Sequence, residues 1–269
     1  MAGPPEEVPK LSVVAPAYNE ADNLERLVAE VGAALDAVIA WELIVVDDGS
    51  TDESRGTLAR LARADPRVRP LRLATRSGQT AALVAGFGAA AAPLVATLDA
   101  DLQCSPRDLP ALLALLDDAD LACGVRVKRR DPWRRRLVSG MSNAIRRCLV
   151  APRLRDLACP LRVFRVEALA QLDACGVLFD GAHRWLPALF VLAGLRVVQR
   201  PVAHDPRRAG VSKYTATGRA VPVARELLRV LAIAQRLRRY GRRSLDAALQ
   251  PIPSLGLGRA GSSRNSRAS

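Results

Sequence analysis

The chain has 269 residues, 49% apolar and 25% charged, which excludes a small disulfide scaffold, a wholly disordered chain and an ordinary multispan membrane protein. Its net charge of +13 is unevenly placed: residues 1–120 hold 10 basic and 19 acidic side chains, and residues 121–269 hold 30 and 8. An acidic half suits a bound cation or base-like group, whereas a basic half needs nucleic acid, lipid headgroups or phosphate.

The apolar run LSVVAPA at 11–17 predicts a strand, followed by a helix to about Asp36. ELIVVDD at 42–48 predicts a second strand, then Gly49, Ser50 and a helix over 52–64. The alternation repeats as strand 68–74, helix 78–91, strand 94–98, helix 106–117 and strand 120–126. Gln79 to Leu98 carries no charge for twenty residues, yet Pro93 and its Ala/Gly content divide it into a buried helix and a strand, not a membrane span. Further on come a basic helix at 132–150, a strand at 161–165, helices near 167–173 and 184–193, and a strand at 195–202. A long helical pattern covers 218–243, and a Pro, Gly, Ser and Arg tail from about 250 is expected to be disordered. Strand-helix alternation with apolar strands implies a parallel sheet covered by helices on both faces, the doubly wound α/β class. Ligands of such sheets lie beyond the carboxyl ends of the strands.

The five cysteines, 104, 123, 148, 159 and 175, form no CxxC pair and fit buried thiols in a reducing compartment. The start MAGPPEEVPK has no apolar h-region, so a secretory signal is not expected and a cytoplasmic location is.

Asp99 and Asp101 in LDADLQ follow a buried-type strand, where two carboxylates two residues apart can share one hard divalent cation and Gln103 can add an amide oxygen. Asp47 and Asp48 end the strand before Gly49-Ser50-Thr51-Asp52, where Ser50 or Asp52 can also serve simply as a helix cap. Paired acids at two strand ends repel one another unless a cation or hydrogen-bond donors enter the crevice.

PAYNE (16–20), VVDDGSTD (45–52), RSGQTAAL (76–83), LDADLQ (98–103), GVR (124–126) and RRAGVSKY (207–214) together resemble the family 2 glycosyltransferases of GT-A fold. Within that family the chain is most similar to the polyprenyl-phosphate, dolichol-phosphate mannosyltransferase-like sugar transferases. The resemblance covers roughly residues 9–215 and implies a GT-A domain over 1–215; beyond it the residue pattern gives a basic amphipathic helix over 216–245 and a disordered tail over 246–269. It implies that Pro16, Tyr18, Glu20, Arg76 and Asp47 or Asp48 bind the nucleotide sugar. Asp99, Asp101 and Gln103 then hold Mg²⁺ or Mn²⁺ on the donor diphosphate, and Arg126, Arg135 or Arg136, Arg207 and Lys213 face donor and acceptor phosphates. Asp101, Arg207 and Lys213 are the catalytic candidates under that likeness.

The chemistry agrees. A nucleoside diphosphate departs once its charge is neutralised, and arginine forks grip phosphate oxygens bidentately. An acceptor phosphate monoester, with its second pKa about 6, is already ionised and needs no general base, so a single inverting displacement is expected. His183 and His204 have no metal-ligand partner at helical spacing and read as hydrogen-bonding residues, His204 bordering the basic loop.

Over 218–243, Val223, Leu227, Val230, Leu231, Ala234 and Leu237 share one helical face, opposite Arg225, Arg229, Arg236, Arg239 and Arg243. Such a helix can lie in the interface of an anionic membrane or dock on its own core with a solvated basic face. No run of eighteen apolar residues follows Tyr240, so attachment at the inner membrane face is expected to be peripheral or through a partner. Gln199 stands where relatives often place Glu. The competing readings are a family 2 transferase acting on a soluble sugar or protein hydroxyl, and a basic nucleic-acid-binding protein. Three Trp, three Tyr and four Phe leave few stacking platforms, and no recognition helix or zinc motif appears, so nucleic acid is not expected as a partner.

Overall fold

The computed structural model describes residues 8–127, 152–174, 179–205 and 225–235. In chain order it contains β1 (Leu11–Ala17), α1 (Ala21–Leu35), β2 (Trp41–Asp47), α2 (Ser54–Ala64), β3 (Val68–Arg72), α3 (Gln79–Ala89) and β4 (Leu94–Thr97). These are followed by α4 (Leu109–Leu113), β5 (Leu121–Arg126), β6 (Arg162–Arg165), α5 (Val166–Ala174), α6 (Leu186–Leu192) and β7 (Val197–Val202). Residues 225–235 form one more helical segment.

The strands make one seven-stranded sheet in the order β3-β2-β1-β4-β6-β5-β7. Every pairing is parallel except those of β6, which runs antiparallel to both β4 and β5. β1 and β2 are buried on both faces, as continuous Val, Ile and Leu runs require. Their carboxyl ends lie on one edge with those of β4, β5 and β7, so the turns after Ala17, Asp47, Thr97, Arg126 and Val202 share that edge.

One core lies between the sheet and α1, α2 and α4, around Leu24, Leu27, Leu43, Leu98 and Leu109. The other lies beneath α3, α5 and α6, around Ile44, Phe164, Trp185 and Phe190. α3 lies so close to the sheet that a Cβ on Gly86 would come within 2.3 Å of Val14 Cγ1. At the amino edge Glu42 is 4% exposed and accepts from Ser12 Oγ at 2.5 Å and Ala91 N at 2.8 Å, with Arg69 paired to its other oxygen.

One expectation needs correction. The helix expected over 106–117 is a 3₁₀ turn, Pro106–Asp108, and the short α4, followed by i+3 bonds from Leu115 N to Leu112 O and Leu116 N to Leu113 O. Pro106 and Pro110 supply no amide to an α-helical ladder, and the chain continues in tighter turns. Of the two placements open to the amphipathic stripe, residues 225–235 take the packed one: Val230 and Ala234 are buried, and Leu227, Leu231 and Ile233 pack against the core beneath α6. Arg225 and Arg229 are exposed, so over these residues the helix docks on its own domain with a solvated basic face. Val223, Leu237, Arg236, Arg239, Arg243, the 132–150 helix and the 246–269 tail lie outside the described residues.

Candidate active site

The turns after β1 and β2 are laced together. Asn19 takes φ 52°, a left-handed backbone that asparagine tolerates, and its N–H donates to Ser50 Oγ at 2.9 Å. Thr51 N donates back to Asn19 Oδ1 at 2.8 Å, and Glu20 N donates to Ser54 Oγ at 3.1 Å. Ser50 therefore serves the neighbouring turn rather than capping α2, while Asp52 Oδ1 accepts from Ser54 N at 3.0 Å at the start of that helix. Glu20 is buried, and its Oε2 accepts from Asn23 Nδ2 at 2.6 Å. Pro16 lies in β1 opposite Val46, one residue before the end of the strand.

Asp47 and Asp48, 2% and 5% exposed, meet backbone donors in the crevice. Asp47 Oδ1 accepts from Ser50 N at 2.8 Å. Asp48 Oδ1 accepts from Ser77 N at 2.6 Å, and its Oδ2 accepts from Gly78 N at 2.9 Å. Asp48 therefore fixes the 75–78 turn against the end of β2. A Cβ on Gly49, at φ 72°, would come within 2.8 Å of Arg76 N, so only glycine fits this close approach. The same turn carries the Arg76 guanidinium over the Tyr18 ring, 4.2 Å from its centroid.

Asp99 and Asp101 follow β4 as the apolar strand ends. Gln79 Nε2, at the start of α3, donates to Asp99 Oδ1 at 2.8 Å, and Gln103 N donates to Asp101 Oδ1 at 3.1 Å. Leu102 between them has φ 55°, a strained conformation for a leucine that kinks the loop back toward Asp99, whose carbonyl accepts from Leu102 N at 3.3 Å. The end of β7 closes the loop from the other side: Asp205 N donates to Gln103 O at 2.9 Å, and His204 Nδ1 lies 3.9 Å from Cys104 Sγ. Among the described residues no group of three or more His, Cys, Asp or Glu side chains could hold a metal ion by itself. Asp99 and Asp101 nevertheless offer hard carboxylate oxygens of the kind that suit a divalent cation such as Mg²⁺, which is commonly held by one or two carboxylates together with substrate phosphates.

Arg126 closes β5 on the same edge. Asp156 clasps it bidentately, accepting from Nε at 2.8 Å and Nη2 at 3.0 Å. Burial opposes the Arg126 charge, but the Asp156 carboxylate outweighs it and keeps the guanidinium firmly ionised. Gln199 Nε2 donates to Asp156 O at 2.9 Å, which a glutamate at that position could not do. Arg162 at the start of β6 is 3% exposed; its Nη2 donates to Leu157 O at 3.2 Å, and its Nε is the one buried side-chain atom with no hydrogen-bond partner among those described.

Neither Asp156 nor Arg162 stands out as a site residue in the sequence, because neither the RDLACPLR segment nor its spacing carries a recognisable ligand pattern. Gln79 was visible only as part of RSGQTAAL. The expected residues Pro16, Tyr18, Glu20, Asp47, Asp48, Arg76, Asp99, Asp101, Gln103 and Arg126 all lie along the carboxyl edge or in the turns that follow it. Arg135, Arg136, Arg207 and Lys213 lie outside the described residues. Cys104, Cys123 and Cys159 are buried free thiols.

Residues 12–173 match the family model described as glycosyl transferase family 2. A dodecaprenyl-phosphate galacturonate synthase of Rhizobium johnstonii is 34% identical over 229 residues, covering 82% of this chain and 66% of that protein. An undecaprenyl-phosphate 4-deoxy-4-formamido-L-arabinose transferase of Sodalis glossinidius is 33% identical over 214 residues, covering 78% and 64%. The chain thus spans just under two thirds of the length of these curated relatives. Among solved structures, glucosyl-3-phosphoglycerate synthase from Mycobacterium tuberculosis in complex with Mn²⁺ and UDP-glucose shares the fold, with a TM-score of 0.63 and 19% identity over 84% of this chain and 79% of that one.

Proposed function

The chain belongs to glycosyl transferase family 2, and from that premise we propose that it moves a sugar from a nucleotide-diphosphate sugar to a polyprenyl phosphate by a single inverting displacement. The observation that carries this reading is the pair Asp99 and Asp101 at the end of β4, held in place by Gln79 and by the Leu102 kink. Two curated relatives named for transfer onto polyprenyl phosphates support the acceptor class.

In this account Tyr18, Glu20 and the Arg76 turn bound by Asp48 form the nucleotide side of the crevice, and Asp99, Asp101 and Gln103 hold Mg²⁺ or Mn²⁺. The bound cation supplies Lewis acidity that makes the nucleoside diphosphate a competent leaving group. Arg126, aligned by Asp156, adds positive charge on the same edge. Arg135 or Arg136, Arg207 and Lys213 are assigned to the acceptor phosphate, which arrives ionised and attacks the anomeric carbon without a protein base. Rate then comes from in-line positioning and electrostatic stabilisation.

No helix among the described residues is long and apolar enough to cross a membrane. The excess of basic over acidic residues after 120 suits peripheral attachment to an anionic inner membrane face. The test is transfer from a panel of labelled nucleotide sugars, with Mn²⁺ or Mg²⁺, to undecaprenyl phosphate and to soluble sugar acceptors. Label entering the lipid from one donor supports the proposal. Label entering only a soluble acceptor, or no acceptor, overturns it.

A further inference from the structure

The helix over 225–235 reaches the donor side of the site through buried polar contacts that the transfer chemistry does not itself require. Glu226, 6% exposed, accepts from Arg184 Nη1 at 2.5 Å and from Trp185 Nε1 at 3.1 Å. Arg184 ends the 3₁₀ turn Ala182–Arg184, and Trp185 follows it. Gly181 opens the turn directly against Glu226, where a Cβ would come within 2.4 Å of Oε1. The other side of this turn rests on α3: Thr80 Oγ1 accepts from Gly181 N at 2.9 Å and lies 2.7 Å from His183 Nδ1. Burial, and then repulsion from Arg184 and Arg162, lower the His183 pKa to about 3. The imidazole is therefore neutral near physiological pH, and the Thr80 contact does not switch there. Thr80 is the second residue of α3, and the first, Gln79, donates to Asp99.

We propose that Glu226 is a positioning residue for the donor site: by clamping Arg184 and Trp185 it fixes the Gly181–Trp185 turn, and through Thr80 that turn fixes the start of α3 and the Gln79 hydrogen bond that orients Asp99. The inference rests on the proposed role of Asp99 as a cation-holding carboxylate. Mutating a group that orients a metal-binding side chain typically costs about 10–100-fold in metal affinity. Because linkage is reciprocal, a donor and cation bound at Asp99 also tighten the docking of the 225–235 helix.

The experiment uses the full chain as wild type, Glu226→Gln, and Leu228→Ser, a control on the exposed face of the same helix. Affinities for UDP and GDP are measured calorimetrically with and without Mn²⁺, and amide hydrogen exchange is followed in peptides covering 181–192 and 225–235. In the wild type, nucleotide with Mn²⁺ slows exchange in both peptides. Glu226→Gln, acting at a remove from Gln79, weakens the Mn²⁺-dependent binding by up to about tenfold, the low end for a direct partner of a ligand, leaves metal-free nucleotide binding nearly unchanged, and loses the protection at 225–235. Leu228→Ser behaves as wild type.

A Glu226→Gln protein that melts lower but keeps wild-type Mn²⁺-dependent affinity has lost only stability, and that result overturns the inference while leaving the proposed function intact. If the variant does not fold, wild-type exchange decides: protection at 225–235 supports the inference, and binding without it overturns the inference. Absence of Mn²⁺-dependent nucleotide binding in the wild type overturns the proposed function and this inference together.

Discussion

Replacing Asp48 with alanine isolates what the second acid of the Asp47-Asp48 pair does. Its carboxylate is 5% exposed and accepts from Ser77 N at 2.6 Å and from Gly78 N at 2.9 Å, so truncation leaves two backbone donors of the 75–78 turn without their acceptor. Hydrogen bonds to a charged group contribute about 1.5–3 kcal/mol each. Relief of repulsion from Asp47 and water reaching the emptied space offset part of that loss, leaving a net destabilisation of about 3 kcal/mol. For a chain of this size that lowers the melting temperature by roughly 6–12 °C. Because the same turn carries Arg76 over Tyr18, nucleotide affinity should fall along with stability. Asp48→Asn should lose less, since its Oδ1 can still accept from Ser77 N while its amide donor faces Gly78 N. Thermal unfolding and nucleotide titration on the same samples check both effects. A variant that melts with the wild type would refute the claim that these amides, rather than a cation, settle the paired acids of β2.

Gly86→Ala should destabilise by about 1–2 kcal/mol, because overpacking against Val14 exceeds the helix-propensity gain of about 1 kcal/mol; urea unfolding measures it, and a stabilised variant would contradict the close packing of α3. The Glu42 pKa is lowered: burial raises it, but hydrogen bonds from Ser12, Ala91 and Arg69 together outweigh burial. Its stabilising contribution is therefore complete above the ordinary glutamate value of 4.5 and lost as pH falls through the lower folded value. The stability gap between wild type and Glu42→Gln should shrink on acidification below that point, and a gap that widens reverses the sign. Asp156→Asn removes the carboxylate from a largely buried ion pair and should cost about 3 kcal/mol, read by chemical denaturation; wild-type stability would show that Arg126 does not depend on its partner.

What sequence alone reveals follows from whether the cause is local. Strands β1 and β2 are continuous apolar runs of parallel-sheet length, and the acids after β2 and β4 follow directly from where those runs stop. The direction of β6 is not local: RVFR reads as a strand in either orientation, and only its insertion between β4 and β5 makes it antiparallel. The repulsion between Asp47 and Asp48 is legible, but its solution by amides from residues 77 and 78 depends on a tertiary approach that Gly49 permits. Arg126 is readable as a cation at a strand end, whereas its partner Asp156 lies 30 residues away in a segment with no periodicity. The 225–235 stripe shows why a moment is ambiguous: bilayer and core satisfy the same apolar face, and the buried Glu226 beside it, rather than the arginines opposite, marks the docked state.

The most direct measurement is a crystal structure of the full chain with Mn²⁺ and a nucleoside diphosphate, collected at a wavelength where manganese scatters anomalously. The account predicts a single anomalous peak within coordination distance of the Asp99 or Asp101 carboxylate and the diphosphate oxygens, absent when Asp99 and Asp101 are both alanine. A nucleotide bound with manganese elsewhere, or with no manganese at all, would contradict it.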